Sequence, residues 1–228
     1  MRPTVFLFDI DGTLVSTGGA GRRSMERAFV EHTGTTAALD FSFAGMTDPA
    51  IVRRGLEHAG RPADPESIAA VLASYLRVLS EEVTAAASFV VHDGVPRALD
   101  EASSWSSCAL GLGTGNIRDG ARVKLGRANL FDRFSFGGFG CDSEDRAELL
   151  AVGAGRGAAL LGIPRVECRV VVIGDTPKDV AAALAIGAEA IGVGTGPYSA
   201  DDLKACGAAW AFATLEDDGA LDALRGGE

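Results

Sequence analysis

Six short runs of apolar residues, rich in valine, isoleucine, phenylalanine and leucine, recur along this chain. Each run has the length of one strand buried on both faces, and several stretches between them carry apolar residues at i, i+3 and i+4. This alternation predicts an α/β fold with a doubly wound, mostly parallel, Rossmann-like sheet. The predicted strands are residues 5–10, 108–112, 134–139, 170–173, 190–193 and 210–212.

The first run is separated from the second by a long stretch, whereas the later runs follow one another more closely. The stretch has helical patterning, and the pairs Asp48-Pro49 and Asp64-Pro65 are typical of a helix cap followed by a first helical residue. We therefore predict a small α-helical cap domain at residues 17–89. It would be inserted into a catalytic core formed by residues 1–16 and 90–228.

Composition limits the class of partner. The 228 residues are 47% hydrophobic, which suits a core domain with a small second domain. A net charge of −10 disfavours nucleic acid and anionic lipid, and no apolar run is long enough to span a membrane. Because the amino terminus lacks a secretory pattern, we predict a cytoplasmic protein whose four cysteines are buried, reduced thiols. The sequence does not predict the oligomeric state.

Two acids, Asp9 and Asp11, stand at the end of the first predicted strand. Carboxylates two residues apart point to the same side of a strand, and two like charges held together need a cation or a proton. The pair predicts that one acid attacks a substrate and the other moves a proton, beside a hard divalent cation. Taken alone, the Asp-Gly pair at this position is equally typical of a turn.

A second acidic cluster follows the run at 170–173 and contains Asp175 and Asp179. Asp179 also suits the first turn of a helix, where the helix dipole favours an acid. Together with Asp9 and Asp11, up to four carboxylates gather at neighbouring strand ends. We expect Mg²⁺ to neutralise them, because it binds few carboxylates and completes its octahedron with water and a substrate phosphate.

Another strand end carries Thr114, Gly115 and Asn116. Because glycine has no side chain, the backbone N–H groups here can approach an anion closely. Together with a hydroxyl and an amide, they can bind its oxygens. The same residues also suit a tight strand-to-helix turn. A third interpretation is the glycine-rich loop of an adenosylmethionine-dependent methyltransferase, although that loop belongs after the first strand of its fold.

The ordered motifs Asp9-Ile10-Asp11-Gly12-Thr13-Leu14, then Thr114, then Gly174-Asp175-Thr176-Pro177-Lys178-Asp179 resemble those of the haloacid dehalogenase superfamily. The helical insert directly after the first motif is similar to the cap of its phosphoglycolate-phosphatase-like branch. The resemblance implies a phosphoric monoester hydrolase that uses Mg²⁺.

The same resemblance implies a role for each matched residue. Asp9 would become an aspartyl-phosphate, and Asp11 would protonate the leaving alcohol and then activate water, its backbone carbonyl also touching the metal. Thr114, with Gly115 and Asn116, would bind the transferring phosphoryl group. Asp175 would complete the metal site. Asp179 would either bind the metal directly or contact one of its ligands.

One motif departs from the family, which places a lysine before its last motif to bind the phosphoryl group. The corresponding stretch here, residues 141–148, offers Arg146. Arginine supplies the same charge with a forked geometry. Lys124 on the preceding helix is the alternative, and Arg146 would otherwise be an exposed residue paired with Glu148 or Asp142.

These features predict a Mg²⁺-dependent phosphatase acting on a small phosphorylated metabolite. A sugar phosphomutase of the same superfamily keeps both acids and is the nearest alternative. A non-catalytic binding module with the same fold is a third, since a fold does not establish an activity. Asp11 disfavours a dehalogenase, and the absence of lysine from residues 17–89 disfavours a phosphonate hydrolase.

Overall fold

The computed structural model describes residues 2–227 and contains eight strands within that range. The strands are β1 (Thr4–Phe8), β2 (Val15–Ser16), β3 (Val90–Val91), β4 (Cys108–Thr114), β5 (Phe136–Phe139), β6 (Arg169–Gly174), β7 (Glu189–Val193) and β8 (Trp210–Phe212). Six of them form one sheet in the order β5-β4-β1-β6-β7-β8, and every neighbouring pair is parallel. The predicted α/β class is confirmed, and each of the six apolar runs contributes one of these strands.

The helices cover both faces of this sheet. They are α1 (Ala20–Thr33), α2 (Asp48–His58), α3 (Pro65–Ala85), α4 (Val95–Ser104), α5 (Arg118–Gly126), α6 (Arg146–Leu161), α7 (Pro177–Ala185), α8 (Ala200–Ala205) and α9 (Ala220–Arg225). In β1, Phe6 and Phe8 pack with α4, α5 and α9, whereas Val5 and Leu7 pack with α6, α7 and α8. Side chains alternate between the faces of a strand, so a central strand buried on both sides is apolar throughout.

Helices α1, α2 and α3 lie between β2 and β3 and share a third hydrophobic cluster. Met25 and Phe29 of α1 meet Ile51 of α2 and Tyr75 of α3 in it. The N-cap of α2 is Thr47, whose hydroxyl accepts from the backbone N–H of Ala50 at 3.3 Å, and Asp48 is the first helical residue rather than the cap. The side chain of Asp48 is thereby free to contact the core domain. We call α1, α2, α3 and the segments between them the cap.

The two connections between the cap and the core pair with each other as a short antiparallel ribbon. Val15 lies opposite Val91, and Ser16 opposite Val90. Two-residue strands are too short to show alternation, so the sequence predicts only a linker and a return there. Within residues 2–227, no helix has both the length and the apolar composition to cross a bilayer. The prediction of four buried thiols is right only for Cys168. Cys108 is half-buried, and Cys141, in a loop, and Cys206, just after α8, are exposed.

Candidate active site

Three buried carboxylates meet at the carboxyl edge of the sheet. Asp9 follows β1, Asp175 follows the adjacent parallel strand β6, and Asp179 lies in the first turn of α7. One oxygen from each carboxylate lies within 4.8 Å of one from each of the others. Adjacent parallel strands end at the same edge, which explains why residues far apart in the chain meet here.

The carboxylate of Asp175 is enclosed by backbone. A Cβ atom added at Gly196 would lie 1.7 Å from its Oδ2 atom, and one added at Gly12 would lie 2.3 Å from it. Gly12 also has a φ of 82°, which a side chain disfavours. The hydroxyl of Thr13 donates to Oδ1 of Asp175 at 3.2 Å. Both glycines are therefore needed to leave room for this carboxylate.

Arg146, the first residue of α6, lies between two of these acids. Its Nη2 atom is 2.8 Å from Oδ2 of Asp9, and its Nε donates to Oδ1 of Asp179 at 2.7 Å. The other oxygen of Asp179 accepts from the backbone N–H of Thr176 at 3.0 Å and from its hydroxyl at 2.6 Å. Nη2 forms ion pairs with both acids but no well-directed hydrogen bond, although it is buried. The guanidinium therefore places its positive charge directly beside Asp9.

Asp11 turns away from this trio. Its Oδ2 accepts from Nζ of Lys124 at 2.6 Å and from Nδ2 of Asn116 at 2.8 Å. Lys124 has a side-chain exposure of 5%, against 44% for Asp11. The Asn116 amide also donates to the hydroxyl of Thr114 at 2.9 Å, and its own oxygen is buried without a partner.

Burial and mutual repulsion perturb these acids. Burial raises the pKa of Asp9 to about 6, with Asp179 and Asp11 adding to the rise and Arg146 opposing it. Burial, followed by the charges of Asp9 and Asp179, raises the pKa of Asp175 to about 8. One arginine therefore does not offset the negative charge of this cluster.

The donor set fits a hard divalent cation such as Mg²⁺. Its atoms are carboxylate oxygens, as that ion prefers, and the excess of buried negative charge is what a cation would relieve. Asp9 and Asp175 would hold it, because both oxygens of Asp179 already accept from Arg146 and Thr176. When bound, such an ion lowers the repulsion between an attacking carboxylate and a phosphate ester.

A cavity of about 510 Å³ lies between this edge of the sheet and the cap. Asp9, Asp175 and Arg146 line its core end, and Met25, Phe43 and Tyr75 line its cap end. The volume is that of a small-molecule site. Because it is formed from both parts of the chain, its size depends on how the cap meets the core.

The cap loop before α2 is fastened to the core. The backbone N–H of Asp48 donates to the carbonyl of Gly115 at 2.8 Å, and its Oδ2 accepts from the N–H of Ile117 at 2.9 Å. Arg53 pairs with Glu144 at 2.7 Å, and Lys178 donates to the carbonyl of Ala44 at 3.0 Å. These contacts hold the cap over the cavity.

The family model for haloacid dehalogenase-like hydrolases matches residues 3–187 of the 228. The chain belongs to the haloacid dehalogenase-like hydrolase family. No curated protein matches this hydrolase significantly.

Solved structures share the fold of this haloacid dehalogenase-like hydrolase at low identity. A hydrolase from Pseudomonas syringae is 20% identical, with a TM-score of 0.71 over 97% of this chain and 98% of that one. A predicted phosphatase from Clostridium acetobutylicum is 19% identical, with a TM-score of 0.70 over 99% of each chain. CbbY from Rhodobacter sphaeroides in complex with phosphate is 16% identical, with a TM-score of 0.71 over 97% of this chain and 100% of that one.

The structure of this haloacid dehalogenase-like hydrolase sorts the predicted site residues into three groups. Asp9, Asp175 and Asp179 form one cluster, in which Arg146 pairs with Asp9 and Asp179, and Asp11 is grouped instead with Lys124 and Asn116. Gly115 and Asn116 line the cavity, whereas Thr114 is fully buried behind Asn116 and does not line it. Arg146 is not the exposed residue of the alternative interpretation, because its side chain is 8% exposed.

Sequence reasoning placed the cap over the site but did not identify the buried Asp48 and Tyr75 as lining residues. Asp48 is 7% exposed and lines the cavity, as does Tyr75. Burial raises the pKa of Asp48 to about 6, although Lys124 opposes the rise. The sequence signal for Asp48 was its position beside Pro49, which a helix start also explains. Tyr75 stood in an apolar helical stripe and gave no separate signal.

Proposed function

We propose that this hydrolase is a Mg²⁺-dependent phosphatase that cleaves a small phosphorylated metabolite through an aspartyl-phosphate on Asp9. The observation that carries the proposal is the placement of the buried Asp9 carboxylate between Arg146 and Asp175, at a cavity formed between the core and the cap. A nucleophile, an anion-binding donor and a cation site in contact are what phosphoryl transfer to a carboxylate requires.

In the first step, an oxygen of Asp9 would attack phosphorus while the bond from phosphorus to the alcohol oxygen breaks. Arg146 would bind the transferring oxygens through the guanidinium that lies beside Asp9. Asp11, in its protonated form, would give its proton to the departing alcohol.

In the second step, a water molecule would attack the phosphorus of the aspartyl-phosphate and give a proton to Asp11. The bond from phosphorus to Asp9 breaks, which releases inorganic phosphate and restores both acids. Lys124 and Asn116 hold Oδ2 of Asp11 and so keep it in one position through both steps. These roles are those that the family resemblance implies.

The comparisons support a phosphatase at the level of the family and the fold. Relatives in fold are described as a hydrolase, a phosphatase and a putative β-phosphoglucomutase, and another holds phosphate, so the sugar phosphomutase stays the alternative. Membership of a hydrolase family does not favour the methyltransferase alternative. The buried set of acids around Arg146 disfavours a purely structural module, because such a set is costly to bury without a use.

The test is hydrolysis of p-nitrophenyl phosphate with Mg²⁺, with and without EDTA, by the wild type and Asp9→Asn. We expect EDTA to abolish turnover and Asp9→Asn to lower kcat by about 10³-fold or more. Asp132→Asn, at an exposed surface position, is the matched control. Thermal unfolding of each variant checks that it folds. Turnover that survives in Asp9→Asn would refute the proposal.

A further inference from the structure

The cap end of the cavity indicates what kind of alcohol the phosphate is attached to. Resting on the proposed phosphatase function, we propose that the substrate's leaving group is an uncharged alcohol with an apolar body, such as an aryl or alkyl group. It would not carry a second phosphate or a carboxylate at its far end. The lining of the cap, its charges and the cavity volume each bear on this inference.

The cap contributes an apolar wall to the cavity. Met25, Ile51 and Tyr75 are at most 4% exposed and line it from α1, α2 and α3. Phe43 and Met46, in the loop before α2, are half-buried and line it as well. A wall of thioether, aliphatic and aromatic groups favours an apolar ligand, because its contact with such a ligand removes apolar surface from water.

Free positive charge is scarce on the cap side. The cap sequence contains no lysine, and within the described part of the chain Arg22 is the only cap arginine that lines the cavity. Four of the other cap arginines pair with glutamates, and these are Arg23, Arg27, Arg53 and Arg77. An anionic group at the far end of the substrate would need a positive charge beside it, and these four arginines already have glutamate partners.

Arg22 is itself already engaged. Its Nε donates to Glu26 at 2.8 Å, Nη1 to the carbonyl of Phe41 at 3.1 Å and Nη2 to the carbonyl of Leu39 at 3.0 Å. Its guanidinium also lies 4.5 Å from the centre of the Phe43 ring. The charge of Arg22 is therefore balanced by Glu26, and its donors serve the cap backbone.

The core cations are also engaged. Lys124 pairs with Asp11, and Arg146 pairs with Asp9 and Asp179. Four acids line the cavity against three bases, the acids being Asp9, Asp11, Asp48 and Asp175 and the bases Arg22, Lys124 and Arg146. A bound divalent cation and the phosphoryl group would act at the core end, which leaves the cap end without charge for another anion. A charge removed from water without a partner is strongly disfavoured.

The volume allows an alcohol of moderate size. At about 510 Å³, the cavity is within the range of pockets that enclose a small organic molecule, and the phosphoryl group occupies only its core end. The remaining space faces Phe43 and Met46. An alcohol the size of benzyl alcohol fits in this space without a need for polar partners along its body.

The test compares benzyl phosphate with 4-carboxybenzyl phosphate, since the two differ by a distal charge far from the reacting bond. With Mg²⁺ and the full chain, we expect kcat/KM to be higher for benzyl phosphate by about tenfold or more. Equal or faster use of the carboxylate ester would overturn the inference. Failure to hydrolyse either ester, together with p-nitrophenyl phosphate, would instead overturn the proposed phosphatase function.

A charge-introducing variant tests the location of the leaving group. Met46→Lys places a cation in the apolar wall, and we expect it to raise the relative kcat/KM for the carboxylate ester by about tenfold. Val166→Lys adds the same charge at a position 84% exposed and outside the cavity, and should leave the ratio unchanged. An unchanged ratio in Met46→Lys would show that the leaving group does not lie against this wall, which overturns the assignment.

Discussion

Lys124 places its ammonium nitrogen 2.6 Å from Oδ2 of Asp11, and almost all of the lysine side chain is buried. Burial alone would lower the pKa of Lys124, but Asp11, Tyr75 and Asp48 around it raise that pKa above its ordinary value. The lysine is thus a fixed positive charge at the junction of three parts of the molecule. Asp11 comes from the end of β1, Lys124 from α5, and Asp48 and Tyr75 from the cap.

Lys124→Ala should lower kcat for p-nitrophenyl phosphate by about 10- to 100-fold with little change in KM, because Asp11 loses the group that holds it. Lys124→Arg, which keeps the charge, should recover part of the loss. Lys204→Ala removes an exposed lysine and is the control. Steady-state kinetics on folded protein gives both parameters. A loss confined to KM would mean that Lys124 binds substrate rather than positions Asp11.

Arg146→Ala should reduce kcat by about 10²-fold or more, because the transferring phosphoryl group loses its charged donor beside Asp9. The kcat of Arg146→Lys should lie between those of the wild type and Arg146→Ala. The lysine keeps the charge but cannot reach Asp9 and Asp179 together, as the forked guanidinium does. Single-turnover measurements separate this loss from substrate binding. An unchanged rate in Arg146→Ala would shift the phosphoryl-binding role to Lys124.

Mg²⁺ should raise the thermal unfolding temperature, because a ligand that binds only the folded state stabilises it by about 2.7 kcal/mol at roughly 100 times its Kd. For a chain of this length that corresponds to a rise of about 5–10 °C. EDTA should reverse the rise, and Asp175→Asn should abolish it. Asp132→Asn should behave as the wild type does. The same rise in Asp175→Asn would place the cation elsewhere.

Asp48→Asn should change the pH dependence of stability. Burial raises the pKa of Asp48 to about 6 from an ordinary 3.8, so its ionisation in the folded state costs free energy. The cost is absent below about pH 4, grows as pH rises to about 6 and is complete above it, where it reaches about 3 kcal/mol. The variant lacks this cost. Between pH 4 and pH 7, urea unfolding should therefore show the free energy of unfolding of Asp48→Asn rising relative to that of the wild type. The same difference in this free energy at both pH values would contradict the expectation.

Gly115→Ala should loosen the contact between cap and core. A Cβ at this position would lie 2.3 Å from the carbonyl oxygen of Met46, which is backbone and cannot turn aside. The cap loop would have to retreat, so we expect a rise in KM and a loss of stability of about 1–3 kcal/mol. Gly126→Ala is the control, since nothing lies within 4 Å of a Cβ there. Equal behaviour of the two variants would show that the close approach is not needed.

Strand ends were the most predictable part of the site. Asp9 and Asp175 each stand at the end of an apolar run that predicts a strand. Neighbouring parallel strands end at the same edge of a sheet, so residues at their ends come together there. Sequence spacing therefore predicts their convergence, although the sequence alone could not reveal that β1 and β6 are adjacent. The two glycines around Asp175 lie 184 residues apart and form a tight enclosure that no local pattern indicates.

Side-chain contacts within the site were the least predictable part. The pairing of Lys124 with Asp11 joins a helix to a loop more than 100 residues away, and only the packing of α5 decides which way the lysine points. Thr114 ends its strand as predicted, yet the side chain of Asn116 covers it. Both outcomes depend on side-chain orientation after a strand has ended, where alternation no longer applies.

The cap has a hydrophobic cluster of its own, and it meets the rest of the chain through one short ribbon, a few polar contacts and the packing of α3 on α5. Its three helices can therefore accumulate substitutions without disturbing the sheet that supports Asp9 and Asp175. Selectivity and reactivity are consequently free to evolve at different rates in this chain. A single set of acids could serve a succession of metabolites as the helices above it diverge.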